Sequence, residues 1–229
     1  LYRIFDLNSL IDRNRPVYCY ALQSDSVGSR ILVGTKSSNI VEITISTGSM
    51  MVLADGHWGG ELHGLAINPS ESDEFATGGD DGYLKIWNIE SRCCLRSIDL
   101  GCSCRAIAWT SDGAKLAVGL GGEKPSPKDG SFAIIDAATF QLIHEEKQVR
   151  RSISALKFSL DDKLLVVGTS GFLFVYNFDN FFLRSSIQVP SDHSVYTLDL
   201  SVDTSFLRVS TVNQELFYFN LEESALVVT

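Results

Sequence analysis

The sequence has no hydrophobic run long enough to cross a membrane, and it has little positive charge. Its longest apolar stretches, such as residues 164–168, fall far short of the roughly 20 residues that a membrane-spanning helix needs. No charged segment followed by an apolar one opens the chain, so no secretory signal is visible. Lysine and arginine number 19 against 28 acidic residues, which gives a net charge of −9. This balance argues against nucleic acid or an anionic membrane as the main partner, because both attract clustered cations.

The five cysteines fit neither a disulfide framework nor a zinc site by their spacing. The number of cysteines is odd and four of them are crowded together. Their CC and CxC spacings differ from the CxxC pattern of structural zinc sites, and the four histidines also lack metal-ligand spacing. We therefore expect buried free thiols in a reducing compartment, no metal and no cofactor. The residues concerned are Cys19, Cys93, Cys94, Cys102, Cys104, His57, His63, His144 and His193.

Motifs of common catalytic sites are missing as well. Neither GxSxG nor HExxH occurs. Residues 119–124 contain glycines and a lysine, but the GxxxxGK[ST] spacing is not met and Pro125 follows the lysine. Paired acids such as Asp80-Asp81 and Asp161-Asp162 fall in predicted turns, where aspartate is favoured because it accepts backbone hydrogen bonds. We therefore predict a protein that is not an enzyme, unless a pocket brings titratable groups together.

A repeat of about 43 residues organises the chain. Short apolar strands end in an aromatic or aliphatic residue followed by Asp, Asn or Thr, and we call these two residues an anchor pair. The second members stand at positions 6, 44, 88, 136, 177 and 220, so successive spacings run from 38 to 48 residues. Each period also contains a first strand, a polar turn, a buried run and a weaker edge strand, without a helical period. Four strands every 40–45 residues or so are typical of propeller blades, and we predict an all-β, WD40-type β-propeller.

The repeat predicts five blades and part of a sixth. The five blades cover approximately residues 17–53, 57–98, 104–147, 152–189 and 194–229. Residues 1–16 are predicted to be the remnant of a preceding blade, with its anchor strand over residues 2–7. Because half a blade cannot bury its faces without neighbours, and because the chain starts at Leu1 rather than Met, we expect sequence upstream. The propeller is therefore expected to be partial or atypical, with about five blades plus a terminal strand.

The second predicted blade carries the most specific local signal. His57, Thr77, Asp81 and Trp87 occupy the positions of the hydrogen-bonded WD40 tetrad, and Gly56 precedes the histidine. A buried indole N–H needs an acceptor, which a Thr–His–Asp relay supplies. A catalytic His/Asp pair is the alternative interpretation, and the structural tetrad is favoured. Since the other blades do not retain the full set, the propeller is degenerate.

Three segments resemble one particular WD40 family. Residues 56–69 read GHWGGELHGLAINP and residues 75–81 read FATGGDD, which resembles the GHxxGELWGLAxHP…FxTxGDD segment of echinoderm microtubule-associated protein-like (EMAP-like) proteins. RILVGTK at 30–36 and NIVEI at 39–43 are similar to their ILVGTKxGxIxEI strand pair. YTLDLSVD at 196–203 and LRVST at 207–211 are similar to a segment near the end of those proteins. His63 and Asn68 depart from the family's usual Trp and His, and residues 121–129 form an insertion.

The resemblance covers most of residues 17–220 and implies the C-terminal propeller region of that family. It implies a cytoplasmic, cytoskeleton-associated protein that binds tubulin or microtubules, without catalysis or a small-molecule substrate. Other parts that the family uses for microtubule attachment lie outside this chain, so binding by this chain alone stays open. The alternative is a general WD40 scaffold subunit of another cytoplasmic complex, in signalling or in cilia, without tubulin binding.

Loops that join the second strand to the third, and one blade to the next, share one face of a propeller and often carry its function. Trp58 is the leading candidate there, because aromatic residues are frequent binding anchors, although packing over a neighbouring blade is an equal alternative. Four basic residues form the only basic concentration on an acidic chain, and we expect them to meet an acidic surface such as that of tubulin. The candidate partner-binding residues are Lys36, Trp58, Glu61, Lys124, Lys128, Arg150, Arg151, Asp192 and His193, the basic concentration being Lys124, Lys128, Arg150 and Arg151.

The insertion also contains a candidate modification site. Ser126 is followed by Pro127 and Lys128, so an exposed loop there could be phosphorylated by a proline-directed kinase. The alternative is a polar loop with a rigid proline.

Overall fold

The computed structural model describes residues 3–10, 17–122, 125–147 and 151–227. Within these ranges, 20 strands form five four-stranded antiparallel sheets, and the strands of each sheet neighbour one another in chain order. No helix among the described residues is long and apolar enough to span a bilayer. The prediction of an all-β, WD40-type β-propeller is confirmed. The exact blade boundaries stay a prediction.

The strands have the following bounds. Sheet 1 contains β1 (Cys19–Ser24), β2 (Arg30–Thr35), β3 (Asn39–Thr44) and β4 (Met50–Asp55). Sheet 2 contains β5 (Leu62–Ile67), β6 (Glu74–Gly79), β7 (Tyr83–Asn88) and β8 (Cys93–Asp99). Sheet 3 contains β9 (Cys104–Trp109), β10 (Lys115–Leu120), β11 (Ser131–Asp136) and β12 (Leu142–Lys147). Sheet 4 contains β13 (Ala155–Phe158), β14 (Leu164–Gly168), β15 (Phe172–Asn177) and β16 (Phe182–Gln188). Sheet 5 contains β17 (Val195–Leu200), β18 (Phe206–Thr211), β19 (Leu216–Asn220) and β20 (Ala225–Leu226).

The chain divides into two compact units, Leu1–Glu61 and Leu62–Thr229. The first unit contains sheet 1, whose core is formed by Val33, Val41 and Ile43. Phe5 and Leu7 from the start of the chain pack against this core. The first unit therefore buries apolar side chains of its own around a single sheet.

The strand predicted over residues 2–7 is not formed in the described part of that segment. Residues 3–6 lie outside any strand, and a 3-10 helix follows over Leu7–Ser9. The Asp6 carboxylate accepts a hydrogen bond from the N–H of Asn8 at 3.0 Å. Phe5-Asp6 resembles an anchor pair because its aromatic residue packs and its acid caps a turn. It forms no strand because it has no hydrogen-bonded neighbour among the described residues.

The second unit contains sheets 2 to 5. The first strands of successive sheets contact one another, β5 with β9, β9 with β13 and β13 with β17, so these strands form the inner side of the unit. Middle strands such as β14 are buried on both faces because apolar clusters fill the spaces between sheets. The fourth strands β8, β12 and β16 instead alternate between exposed and less exposed residues along much of their length, since they form the outer edges.

The anchor pairs of the repeat mark the ends of the third strands. In each sheet the third strand ends at the second member of its pair. Asn88 accepts a hydrogen bond from the N–H of Ser91 at 2.8 Å, and Asp136 accepts one from the N–H of Thr139 at 2.7 Å. Short polar side chains of this kind stabilise tight turns. The sequence repeat therefore encodes a buried strand end followed by a capped turn.

All five cysteines are free, but the expectation that they are buried is only partly correct. Cys102 and Cys104 are buried within one apolar cluster, and Cys94 is half-buried. Cys19 and Cys93 are exposed, because each begins a strand at the edge of its sheet.

Candidate protein-binding face

Each sheet of the second unit has a loop end and a turn end. We define the loop end as the end where the first and third strands begin and the second and fourth strands finish. The turn end is the opposite end, where short turns follow the first and third strands. Loop-end segments of the second unit comprise residues 80–82, 100–103, 121–122, 125–130, 151–154, 169–171, 189–194 and 212–215.

The candidates in the first unit differ in exposure. Lys36, between β2 and β3, is exposed, and its Nζ lies 5.8 Å from the centre of the Tyr18 ring. Glu61 is exposed as well. Trp58 is half-buried. Its burial favours the alternative in which its side chain packs within the protein over the one in which it is an exposed binding anchor.

The predicted basic concentration is not a uniform exposed patch. Lys128 is half-buried, its Nζ donates to the carbonyl of Leu100 at 3.0 Å, and it lies 3.7 Å from the Glu145 carboxylate. This lysine therefore fastens the insertion to the neighbouring sheet. Arg151 is exposed, and within the described part of the chain its one hydrogen bond is a long contact of 3.5 Å to the carbonyl of Ser170. Lys124 and Arg150 lie outside the described residues.

Ser126 is less exposed than its flanking residues Pro125 and Pro127. The residue is half-buried, and its N–H donates to the Asp129 carboxylate at 2.9 Å. Its hydroxyl accepts a hydrogen bond from the N–H of Lys128 at 3.3 Å. A phosphate placed here would lie beside the Asp129 carboxylate, which repels it. Phosphorylation of Ser126 stays a prediction.

His193 and Asp192 lie in the exposed loop between β16 and β17. Glu215, in the neighbouring loop, has a pKa below its usual range because hydroxyl groups of Ser191 and Thr211 donate to it and His193 lies nearby. This corner of the face is therefore acidic at neutral pH.

The tetrad is seen in part within the second unit. Nε1 of Trp87 donates a hydrogen bond to Oγ1 of Thr77 at 2.6 Å, and Asp81 accepts one from the N–H of Tyr83 at 3.1 Å. His57 belongs to the first unit, so its part in the relay stays a prediction.

Residues that were not predicted from the sequence as binding residues lie on bulges of the first strands. In sheets 1, 2, 3 and 5 the second residue of the first strand is an extra residue relative to its partner strand. A bulge of this kind redirects a side chain, and bulges are frequent at functional sites. In the sequence, such a bulge is visible only as a shift, at one position, in the alternation of apolar and polar residues along the strand. These bulge residues are Tyr20, His63, Arg105 and Tyr196.

Two bulge residues of the second unit converge on one carboxylate at the loop end. Oδ1 of Asp80 lies 3.1 Å from Nε2 of His63 and 3.4 Å from Nη2 of Arg105. Nε of Arg105 also donates to the carbonyl of Gly121 at 3.1 Å. These contacts hold the Arg105 side chain in one orientation between sheets 2 and 3.

Further contacts between neighbouring loops link sheet 3 to sheet 4 and sheet 4 to sheet 5 at the loop end. Gly121 packs so closely that a Cβ there would lie 2.5 Å from Cα of Ser152, next to Arg151. The hydroxyl groups of Ser170 and Ser194 are 2.8 Å apart, and Ser194 lies two residues before Tyr196. We call His63, Asp80, Arg105, Arg151 and Tyr196 the inner arc. The inner arc spans all four sheets of the second unit.

Two cavities of the second unit bear on the question of catalysis. One of about 370 Å³ lies beside the insertion and is lined in part by Asp80, Asp81, Asp99 and Cys102. Burial raises the pKa of the Cys102 thiol, which makes it a poor nucleophile at neutral pH. The other, of about 420 Å³, lies between the turn ends of β5, β9 and β13 and is lined mainly by apolar side chains. Among the described residues, no group of three or more His, Cys, Asp or Glu side chains is arranged to hold a metal ion.

Comparison with known proteins identifies the family. The family model described as the echinoderm microtubule-associated protein second beta-propeller matches residues 62–228, which is more than half of the chain. The chain belongs to this family. The resemblance predicted from three sequence segments is thereby confirmed, and sheet 1 lies outside the matched residues.

Members of the echinoderm microtubule-associated protein family also appear among the similar curated proteins. The chain is 28% identical over 197 residues to human echinoderm microtubule-associated protein-like 2, covering 84% of the chain and 29% of that protein. It is 27% identical over 202 residues to human echinoderm microtubule-associated protein-like 3, covering 86% of the chain and 21% of that protein. A ciliary WD repeat-containing protein, ctxp80, of Euplotoides octocarinatus is 24% identical over 220 residues, with 87% and 30% covered. The chain thus spans less than a third of the length of these relatives.

Proposed function

We propose that the protein is a non-catalytic β-propeller scaffold that binds tubulin or microtubules as part of a longer protein. The observation that carries this proposal is the family match over residues 62–228, together with relatives whose names describe them as microtubule-associated. The cytoplasm, in association with the cytoskeleton, is the location that fits this role.

The described surface supports protein recognition rather than chemistry. The larger cavity is lined mainly by apolar residues, and the Asp162 carboxylate at its edge is hydrogen-bonded to Ser111. The Cys102 thiol of the smaller cavity is held in its uncharged form by burial. Exposed loops and bulge residues on a rigid sheet scaffold instead suit the binding of another protein.

The overall charge supports a protein partner. A chain with a net charge of −9 would repel nucleic acid and anionic lipid headgroups unless a large cationic patch compensated for it. The exposed guanidinium of Arg151 can still contact an acidic protein locally. Arg150 neighbours Arg151 in sequence.

Co-sedimentation with stabilised microtubules at low ionic strength tests the proposal. We expect the protein to pellet with microtubules, and we expect an Arg150→Glu/Arg151→Glu variant to pellet less. A matched Arg92→Glu/Arg184→Glu variant makes the same charge change at two exposed positions away from the loop end and should pellet like the unmodified protein. Absence of co-sedimentation and of tubulin capture by the folded longer protein would contradict the proposal.

A scaffold in a different complex is the second candidate, and one observation favours it. The relative from Euplotoides octocarinatus is named as ciliary rather than as microtubule-associated. Affinity purification of the longer protein from its own cells distinguishes the two, because this alternative predicts a defined complex that lacks tubulin.

A further inference from the structure

We infer that the inner arc binds an extended acidic segment of a partner protein, with Arg105 and Arg151 paired to its carboxylates and Tyr196 packed against it. The inference rests on the proposed function, because it names the surface with which the scaffold would bind its partner. It does not require the partner to be tubulin.

The placement of the arc comes from the bulges and the inner strands. His63, Arg105 and Tyr196 are each the extra residue at the second position of a first strand. Because the first strands of successive sheets contact one another, these three side chains recur around the inner side of the unit at its loop end. Regular strands would alternate their side chains between the two faces of a sheet. The bulges instead redirect one large side chain per strand at the same level.

The hydrogen-bonding capacity of the arc points to an acceptor-rich partner. A guanidinium has five N–H donors and no acceptor. Arg151 is exposed and uses one of its donors in a 3.5 Å contact to Ser170. Arg105 is held through Nε by Gly121 and through Nη2 by Asp80, with its side chain still 25% exposed. Carboxylates are the groups that such planar donors bind in pairs of parallel hydrogen bonds.

Tyr196 provides the apolar part of the surface. Its side chain is 70% exposed, so both its ring and its hydroxyl group are accessible to a partner. Tyrosine contributes a large contact area and a hydroxyl group at a small entropic cost, because its side chain has few rotatable bonds. Asp192 and Glu215 lie near this end of the arc, so we expect the carboxylates of the partner to lie toward Arg105 and Arg151.

The arc is held in place before any partner binds. Asp80 and the carbonyl of Gly121 hold Arg105, Gly121 fits against Ser152, and Ser170 is hydrogen-bonded to Ser194. A surface that is already ordered loses less conformational entropy on association. An extended segment lying across several sheets could therefore bind without rearranging the scaffold.

Binding of a short fluorescent glutamate-rich peptide, followed by fluorescence anisotropy at low ionic strength, tests the inference. A glutamine-rich peptide of equal length is the comparison probe, because it keeps the side-chain length without the charge. We expect the glutamate-rich peptide to bind and the glutamine-rich peptide to fail. An Arg105→Glu/Arg151→Glu variant should bind about tenfold more weakly or worse, because two attractive pairs become repulsive. Tyr196→Ala should weaken binding by several fold.

Controls separate local effects from general ones. The Arg92→Glu/Arg184→Glu variant carries the same charge change away from the loop end and should bind like the unmodified protein. If Arg105→Glu perturbs folding, Arg105→Gln in combination with Arg151→Gln removes both charges without introducing repulsion. Hydrogen exchange of the unmodified protein should show protection by the peptide at residues 103–106, 151–154 and 194–197.

Equal binding of the two peptides, or unchanged binding by both folded arginine double variants, would overturn the inference. Protection confined to other segments would overturn it as well. Peptide binding that persists when microtubule co-sedimentation fails would keep the inner arc as a binding site and remove tubulin as its partner. Microtubule binding and peptide binding that are both insensitive to the Arg105/Arg151 and Tyr196 changes would keep the proposed function and remove the arc.

Discussion

The carboxylate of Asp162 accepts hydrogen bonds from both the backbone N–H and the hydroxyl of Ser111. Oδ2 lies 2.8 Å from the nitrogen and 2.5 Å from the hydroxyl oxygen of that residue. Asp162 lies in the turn after β13, and Ser111 lies in the corresponding turn after β9. The contact therefore joins sheets 3 and 4 at their turn ends, although the two residues are 51 positions apart in the chain.

Replacement of Asp162 should loosen this connection between sheets. We expect Asp162→Ala to lower the free energy of unfolding by about 1–3 kcal/mol, since hydrogen bonds to a charged acceptor are lost and a residue with φ +54° becomes alanine. Asp162→Asn should lose less, because asparagine tolerates this backbone conformation and keeps one acceptor. Urea denaturation measures the difference. Asp179→Ala, at an exposed turn position of the same sheet, is the control and should change stability little.

The hydrogen bond from Trp87 to Thr77 should contribute to stability in a similar range. Thr77→Val keeps the shape of the side chain but removes the acceptor, so the indole N–H loses a partner at 2.6 Å. We expect a loss of about 1–3 kcal/mol. A double-mutant cycle with Trp87→Phe isolates the bond, because the effect of Thr77→Val should shrink once the indole N–H is gone. Equal effects in both backgrounds would show that the bond contributes nothing.

The turn acid Asp203 should titrate at unusually low pH. The hydroxyl of Ser201 donates to it, with Ser205 adding further hydrogen bonds, and together they lower its pKa to about 2. In the unfolded chain an aspartate titrates near pH 4 or so. The carboxylate thus stabilises the fold above that pH, and this contribution is lost as the pH falls toward 2. Asp112 and Asp161 have lowered pKa values for the same reason, with Thr110 and Ser159 as the main donors.

Ser201→Ala should therefore move the pKa of Asp203 back toward its ordinary value. Carbon-detected NMR titration of the side-chain carboxyl group measures this directly. Ser201→Thr keeps the hydroxyl group and should leave the low pKa in place. A pKa in the alanine variant that stays near 2 would contradict the assigned cause.

Gly121 should tolerate no side chain, with consequences for the inner arc. Its φ is +134° and a Cβ would lie 2.5 Å from Cα of Ser152. Gly121→Ala must therefore shift one of the two backbone segments as well as strain its own conformation. Gly101→Ala is the matched control, because its φ is also positive, +71°, but nothing lies within 4 Å of the added atom. We expect Gly121→Ala to lower the melting temperature clearly more than Gly101→Ala does, and to weaken binding of the glutamate-rich peptide.

Local sequence patterns were enough to predict the fold class and family. Anchor pairs such as Trp87-Asn88 and Ile135-Asp136 are readable because a buried strand end and a turn cap need particular residue types at adjacent positions. The same signal misled at Phe5-Asp6, where the packing residue and the cap exist but a neighbouring strand does not. A strand depends on a hydrogen-bonded partner, which a short sequence pattern does not contain.

The candidate site was far less predictable. From the sequence, Lys128 is expected to be a free surface cation, but its ammonium group donates a hydrogen bond to the carbonyl of Leu100. Arg105 and Tyr196 look like ordinary strand residues, and only the register of β9 against β10 and of β17 against β18 makes them bulges. The exposure of a side chain and the register of a strand both depend on which segments pack against it, and a local sequence pattern does not contain that information.

By itself, then, the sequence determined the repeat, the strand order within each period and the turns, because these depend on residues close together in the chain. Only the tertiary structure decided that Asp162 joins two sheets, that Ser126 is half-buried, and that His63 and Arg105 share the carboxylate of Asp80. Those relationships connect residues from different loops and sheets, and they arise only when the inner strands pack side by side. A binding surface built from such contacts is a property of the assembled second unit.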